Sequence, residues 1–203
     1  DGIKILALVE LKYDPRYGLQ LDIQDIDPSY TLGEVARQRR ETLQLLERMG
    51  LMERNKQYPM PRPLRRIAII SSPTAAGYQD FTRHLEESAV APFIEKALFR
   101  ATMQGKSAPQ SIVAALERVR QHETLFDLVV IIRGGGATAD LGTFDDFAVA
   151  RAVAEFSLPV WSGIGHDRDE SVVDLVSHRA FKTPTAVATA VIDAWCAEYT
   201  LLE

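Results

Sequence analysis

Three short runs of apolar residues, 67–70 (Ile-Ala-Ile-Ile), 128–132 (Leu-Val-Val-Ile-Ile) and 160–164 (Val-Trp-Ser-Gly-Ile), each give way at once to a loop of small, polar or charged residues. Runs of this length with no apolar/polar alternation fit strands buried on both faces, and such strands need helices above and below them. Helical segments lie between the runs: 78–88, a stretch marked by Ile112, Leu116 and Val119, and 147–156. Residues 97–103 alternate as a further strand would. The spacing predicts an α/β fold in which a parallel sheet is flanked by helices in Rossmann-like layers.

The two ends read differently. Residues 3–11 and the alternating Leu19, Leu21 and Ile23 suggest a β-hairpin around turn residues 13–18. Two strands cannot hold a core alone, and the chain opens on Asp1 rather than Met. The expectation is that residues 1–30 are the last strands of an incomplete β domain. Thr31 and Glu34 have capping-box spacing, Gly50 suits a helix stop, and three prolines in 58–63 suggest a linker. The expected organisation is a helix and Pro-rich linker over 31–63, an α/β catalytic domain over 64–190, and from 191 to 203 the start of a longer helix.

At 203 residues and 46% hydrophobic, the chain can bury one substantial core. No apolar run approaches the roughly 18 residues that span a bilayer, and the start has no signal-peptide pattern, so no membrane partner is expected. Cys196 is the single cysteine and has no metal-spaced neighbours, which fits a reducing compartment and a cytoplasmic location. The net charge of −5 argues mildly against a polyanionic partner. Its distribution weakens that argument, because residues 37–66 hold nine basic side chains and three acidic ones. That stretch reads as a solvated helix face with a polar linker or as a local track for nucleic acid.

Chemistry concentrates in the three loops after the buried runs, 71–77, 133–136 and 165–169. In an open parallel sheet, ligands bind at the carboxyl ends of the strands. Arg133 with Gly134, Gly135 and Gly136 offers a planar, permanently charged fork beside backbone N–H groups that an anion can approach closely. A flexible turn with a surface ion pair is the plainer alternative. His166 lies three residues before Asp169, which could orient the imidazole for proton transfer. Equally, the acids of this segment could serve a helix N-terminus that His166 merely caps. Ser72 and Thr74 could cap the next helix or contact phosphate, Pro73 suits a first helical turn, and Asp80 alone reads as a surface carboxylate. His84, His122 and His178 read as ordinary helix or loop residues.

In combination, these segments resemble the exonuclease VII large-subunit family. Residues 67–80 are similar to its strand, Ser-Pro-Thr, small-residue and aspartate pattern. Residues 133–141 (RGGGATADL) resemble its Arg-Gly-Gly-Gly-Ser-x-x-Asp-Leu, and 163–169 with Asp174 resemble its Gly-His-x-x-Asp segment and later aspartate. Lys182-Thr-Pro-Thr-Ala186 looks like its Thr-Pro-Ser/Thr-Ala run. The likeness covers about 67–191. It departs at Ala137 for the usual Ser, Asp145 for Asn, Phe147 for Glu, and His178 where Asp is common.

The resemblance implies catalytic roles for Asp80, Arg133, His166 and Asp169; beside them, Ser72, Thr74, Gly134, Gly135, Gly136 and Asp174 are expected to contact phosphate or DNA. It also implies that the opening hairpin ends an oligonucleotide-binding barrel and that the final helix begins a coiled coil for the family's small subunit. The implied reaction hydrolyses single-stranded DNA from its ends to 5′-phosphate products, with no obligatory metal or other cofactor. A Mg²⁺ reading would use Asp140, Asp145, Asp146, Asp169 and Asp174. The rival readings are a nucleotide- or sugar-phosphate-binding domain without nuclease activity and a pure assembly module.

Overall fold

A computed structural model describes residues 5–60, 62–134, 142–165 and 170–199. The chain divides into two compact units, 1–41 and 42–203. In the first, β1 (Leu6–Asp14) and β2 (Gly18–Asp27) form an antiparallel hairpin that pairs Asp14 with Gly18 and is irregular between Leu8 and Val9. The turn follows from its residues. Asp14 Oδ1 accepts the Arg16 and Tyr17 N–H groups, and Gly18 takes a φ of 73° that a side chain would disfavour.

Helix α1 (Pro28–Arg48) begins three residues before the expected cap at Thr31, since proline is well placed at a first helical position. Its end matches the expectation. Gly50 adopts a φ of 67°, its N–H donates to Glu47, and the Leu51 N–H reaches the Leu46 carbonyl, which is a Schellman closure.

The second unit carries a five-stranded parallel sheet: β3 (Arg66–Ser71), β4 (Glu95–Arg100), β5 (Leu128–Ile132), β6 (Val160–Gly163) and β7 (Arg179–Ala180), in spatial order β4-β3-β5-β6-β7. Helices α2 (Ala76–Glu86), α3 (Ala108–Arg120), α4 (Phe147–Ala154) and α5 (Val172–Val176) connect successive strands, and α6 (Pro184–Tyr199) follows β7. The α/β class with a parallel sheet and a preceding hairpin is therefore as expected. Strand β4 lies two to three residues earlier than its alternation suggested, because the chain leaves the ladder after Arg100. Elements α5 and β7, of five and two residues, are too short for a periodic signal.

The strand pleat sorts the core into two layers. Ala68, Ile70, Val129 and Ile131 face one cluster with Ile112, Leu116, Val149 and Val153 of α3 and α4. Ile67, Ile69, Val130 and Ile132 face another with Phe81 and Leu85 of α2 and Val187 and Val191 of α6. Alternate residues of one strand thus serve opposite helix layers, which is why the strands read as unbroken apolar runs. Leu46, Leu51 and Asn55 are also buried in this unit, upstream of residue 64, where the sequence suggested that the domain begins.

Candidate functional site at the switch point

From β3 the chain runs outward to β4 on one side, then crosses back through α3 to β5 on the other side and continues outward to β6 and β7. The carboxyl ends of β3 and β5 therefore form the switch point at which a doubly wound sheet opens a crevice. Ser71, fully buried, ties the two strands by donating its Oγ–H to the Ile132 carbonyl at 2.8 Å. The chain then turns through 72–75, with the Ala75 N–H on the Ser72 carbonyl, into α2.

Glycine lets the next elements meet backbone to backbone. A Cβ on Gly77 would fall 2.2 Å from the Arg133 carbonyl oxygen, and one on Gly134 would fall 2.9 Å from Ala75 Cβ and 3.1 Å from Ala76 N. The start of the loop after β5 is consequently seated against the N-terminus of α2. Gly163 at the end of β6 is held just as closely, with its added Cβ 2.5 Å from Val187 Cγ2 of α6. Three strand ends and two helix N-termini are locked at one edge.

A cavity of about 640 Å³ opens there, lined by Ser72, Thr74, Arg133 and Gly134 together with the chain leaving β4. Arg133 is only 5% exposed, and its N–H donates to the Gly163 carbonyl at 3.3 Å. The Ser72 and Thr74 hydroxyls share a hydrogen bond of 3.1 Å. Neither caps α2: its N-cap is Ala75, without a side-chain cap, and Pro73 precedes the helix rather than opening it. The first N–H groups of α2 supply partial positive charge at an edge that already holds a guanidinium.

Asp80, in the second turn of α2, is paired with Arg83 at 2.5 Å and is not among the residues lining this cavity. Asp174 is buried in α5. One carboxylate oxygen accepts the Ser162 hydroxyl at 2.6 Å and the other accepts the Ser171 N–H and hydroxyl, completing a capping box between β6 and α5. Asp146 caps α4 through the Ala148 and Val149 N–H groups, and Asp145 accepts the Val172 N–H. Three carboxylates of the Mg²⁺ reading thus hold backbone donors in place. Among the described residues, no three His, Cys, Asp or Glu side chains are grouped to hold a metal. Gly135, Gly136, Asp140, His166 and Asp169 lie outside the described residues.

The sequence reading passed over Arg100, Thr102, Gln104 and Ser111, which line the same cavity; they look like the frayed end of a strand and an ordinary helix start. His178 is more than a loop residue. Trp161 Nε1–H donates to its Nδ1 at 3.2 Å and its Nε2 lies 3.0 Å from the Tyr58 carbonyl. An indole can only donate and a carbonyl only accept, so these partners assign the neutral Nε2–H form. Burial lowers its pKa below the usual 6.5, opposed by the Tyr58 hydrogen bond and aided by the charge of Arg179.

Fold and edge together define a doubly wound α/β protein whose switch-point cavity brings together a buried arginine, neighbouring hydroxyls and a helix N-terminus. The family model for "Exonuclease VII, large subunit" matches residues 51–201. Proteins named exodeoxyribonuclease 7 large subunit are similar along nearly the whole chain: 34% identical over 193 residues in Deinococcus radiodurans (94% of this chain, 46% of that protein) and 38% over 204 in Acaryochloris marina (98% and 47%). The Cyanothece relative is 37% identical over 200 residues, 98% of this chain and 46% of its own. The chain belongs to the exonuclease VII large-subunit family, and it spans about half the length of the curated relatives it matches.

Proposed function

We propose that this chain is the catalytic part of an exonuclease that hydrolyses phosphodiester bonds of single-stranded DNA from its ends, leaving 5′-phosphates without an obligatory metal. The observation that carries the reading is Arg133, nearly buried in the wall of a hydroxyl-lined cavity at the switch point. Arginine does not lose its proton in proteins, so its positive charge stands in a water-poor wall before substrate arrives. Preorganised charge of this kind stabilises the extra negative charge of a phosphoryl transition state.

In this mechanism Arg133 and the N–H groups of Gly134, Gly135 and Gly136 hold the scissile phosphate, while Ser72 and Thr74 contact its oxygens. His166 moves the proton to or from the attacking water or leaving oxygen, oriented by Asp169, and contributes on the order of 10²- to 10⁴-fold. Asp80 positions the water or the arginine once it exchanges its pairing with Arg83. The engagement of Asp145, Asp146 and Asp174 with backbone and hydroxyl donors supports protein groups, rather than a Mg²⁺ ion on these carboxylates, as the charge-stabilising elements.

In the longer protein the hairpin completes an oligonucleotide-binding barrel that guides the strand. The helix that starts with α6 joins a small subunit, and the enzyme works in the cytoplasm. Among the described residues, no helix is long and apolar enough to cross a membrane.

The test is release of acid-soluble nucleotides from single- and double-stranded DNA in excess EDTA. It compares the full-length protein with its small subunit, as wild type and as His166→Ala. The expected result is an EDTA-resistant, single-strand-selective activity that the substitution removes while the folded complex persists. Activity abolished by EDTA and restored by Mg²⁺ would overturn the metal-free mechanism.

A further inference from the structure

The cavity extends beyond the residues that hydrolysis itself requires. Its far wall is the chain leaving β4, with Arg100, Thr102, Met103 and Gln104, joined by Ser111 of α3. This wall is braced from behind. The Ala101 N–H donates to the Ser71 carbonyl at 2.9 Å, the Thr102 N–H to Ser111 Oγ at 2.9 Å, and Arg118 Nη2 to the Arg100 carbonyl at 2.7 Å. Gly105, with a φ of 84°, then turns the chain into α3, whose Ala108 N–H donates to the Gly105 carbonyl.

These contacts occupy backbone groups and leave exposed the side chains of Arg100, Thr102 and Gln104 over the buried Ala101 and Met103. Arg100 is the register partner of Ser71 on β4, while Arg133 continues β5 on the other side of β3. The strands that carry the two arginines are therefore two spacings apart, about 9–10 Å. The cavity between them has two guanidinium forks, hydroxyl and amide groups, and an apolar floor. Its size is that of a small-ligand site, not of an extended groove.

We propose that Arg100, Thr102 and Gln104 form a subsite for one nucleotide of the strand, the one adjoining the bond that is cut. Arg100 takes the phosphate on the side away from Arg133, Gln104 and Thr102 hydrogen-bond base or sugar, and Met103 with Ala101 supports the base from below. The position relative to the cut rests on the nuclease reading; the capacity to hold a nucleoside 5′-monophosphate does not.

The test titrates the full-length protein with its small subunit with thymidine 5′-monophosphate, thymidine and inorganic phosphate by calorimetry, and measures EDTA-resistant hydrolysis on the same samples. Wild type is expected to bind the monophosphate at least about tenfold more tightly than either fragment. Arg100→Ala should weaken that binding about ten- to a hundredfold, the loss of a charge-assisted, forked contact. Gln104→Ala should weaken it less, and Arg100→Lys, which keeps the charge, should retain part of the affinity. Thermal melts of all three variants, each changing an exposed side chain, separate binding from folding.

Monophosphate binding no tighter than phosphate alone, or unchanged within about twofold in folded Arg100→Ala and Gln104→Ala, would overturn the subsite. Intact, Arg100-dependent binding by a wild type that cuts no DNA would support the nucleotide site and remove the nuclease reading instead.

Discussion

Replacing Gly77 with alanine tests the packing that builds the candidate site. An added Cβ would lie 2.2 Å from the Arg133 carbonyl oxygen, 3.1 Å from its carbonyl carbon and 2.8 Å from Pro184 Cγ. Cβ atoms essentially never come within 3.0 Å of a heavy atom from a distant residue, so relief requires a shift of nearly 1 Å between two backbones. No side-chain rotation can supply it. Alanine inside a helix is worth about 1 kcal/mol over glycine, against overpacking of about 1–3 kcal/mol or more. With backbone against backbone, the upper part of that range applies, for a net loss of about 2 kcal/mol.

In a chain of this size that loss lowers the Tm by about 4–8 °C, readable by circular dichroism, with urea midpoints as a check. Gly33→Ala is the control: Gly33 is exposed in α1 with nothing within 4 Å of an added Cβ, so the change should be neutral or stabilising by up to about 1 kcal/mol. Because the collision is with the carbonyl of Arg133 itself, hydrolysis well below the Tm should also fall, by up to about 100-fold. A Gly77→Ala protein that melts at or above the wild-type temperature would refute the seating of α2 against residue 133.

Asn55→Ala should cost about 3–5 kcal/mol in urea unfolding. It removes four bonds at once, donations from Nδ2 to the Phe156 and Leu158 carbonyls and acceptance by Oδ1 of the Val160 and His178 N–H groups; of these partners the His178 N–H keeps a second acceptor, the Val160 carbonyl. Stability should fall as pH drops below about 6.5. With the folded pKa of His178 lowered by burial from its ordinary 6.5, the unfolded chain binds the proton first, so the contribution is complete above 6.5 and declines until the folded state also protonates. Urea midpoints across that range should show this slope, and His178→Gln should flatten it. Arg133→Lys should lower kcat/KM for single-stranded DNA by about 10²- to 10³-fold when assayed well below the Tm of the variant, because a lysine cannot reproduce the fork.

What the sequence discloses and conceals follows from the range of the interactions involved. Strands β3 and β5 show as apolar runs, and β6 does so apart from Ser162, because each alternate residue meets a different helix layer, a demand met within five or six neighbouring positions. Asn55 escapes notice because it stands between Arg54 and Lys56, a surface-like setting, while the groups it serves are more than 100 residues away in the chain. Arg100 is hidden similarly, since nothing local says that the end of an edge strand borders the same cavity as Arg133. Ser72 and Thr74 look like caps, yet the N-cap of α2 is Ala75, one residue beyond Thr74, and neither hydroxyl caps the helix. His166 and Asp169 remain argued from resemblance and chemistry.

The glycines at this edge bear directly on how the site should be tested. Gly134 invites the reading that its lack of a side chain admits an anion, but its nearest constraint is the N-terminus of α2, and Gly77 and Gly163 are constrained by the Arg133 carbonyl and Val187. Loss of activity on substituting any of them would follow from disturbed packing whether or not phosphate touches their N–H groups. The side chain of Arg100 is different: it is exposed at the end of a strand whose backbone partners do not depend on it. Substitution there changes the charge presented to the cavity while the strand ends stay joined, so Arg100 is where phosphate chemistry can be separated from the architecture that holds it, whereas Arg133 is buried and serves both.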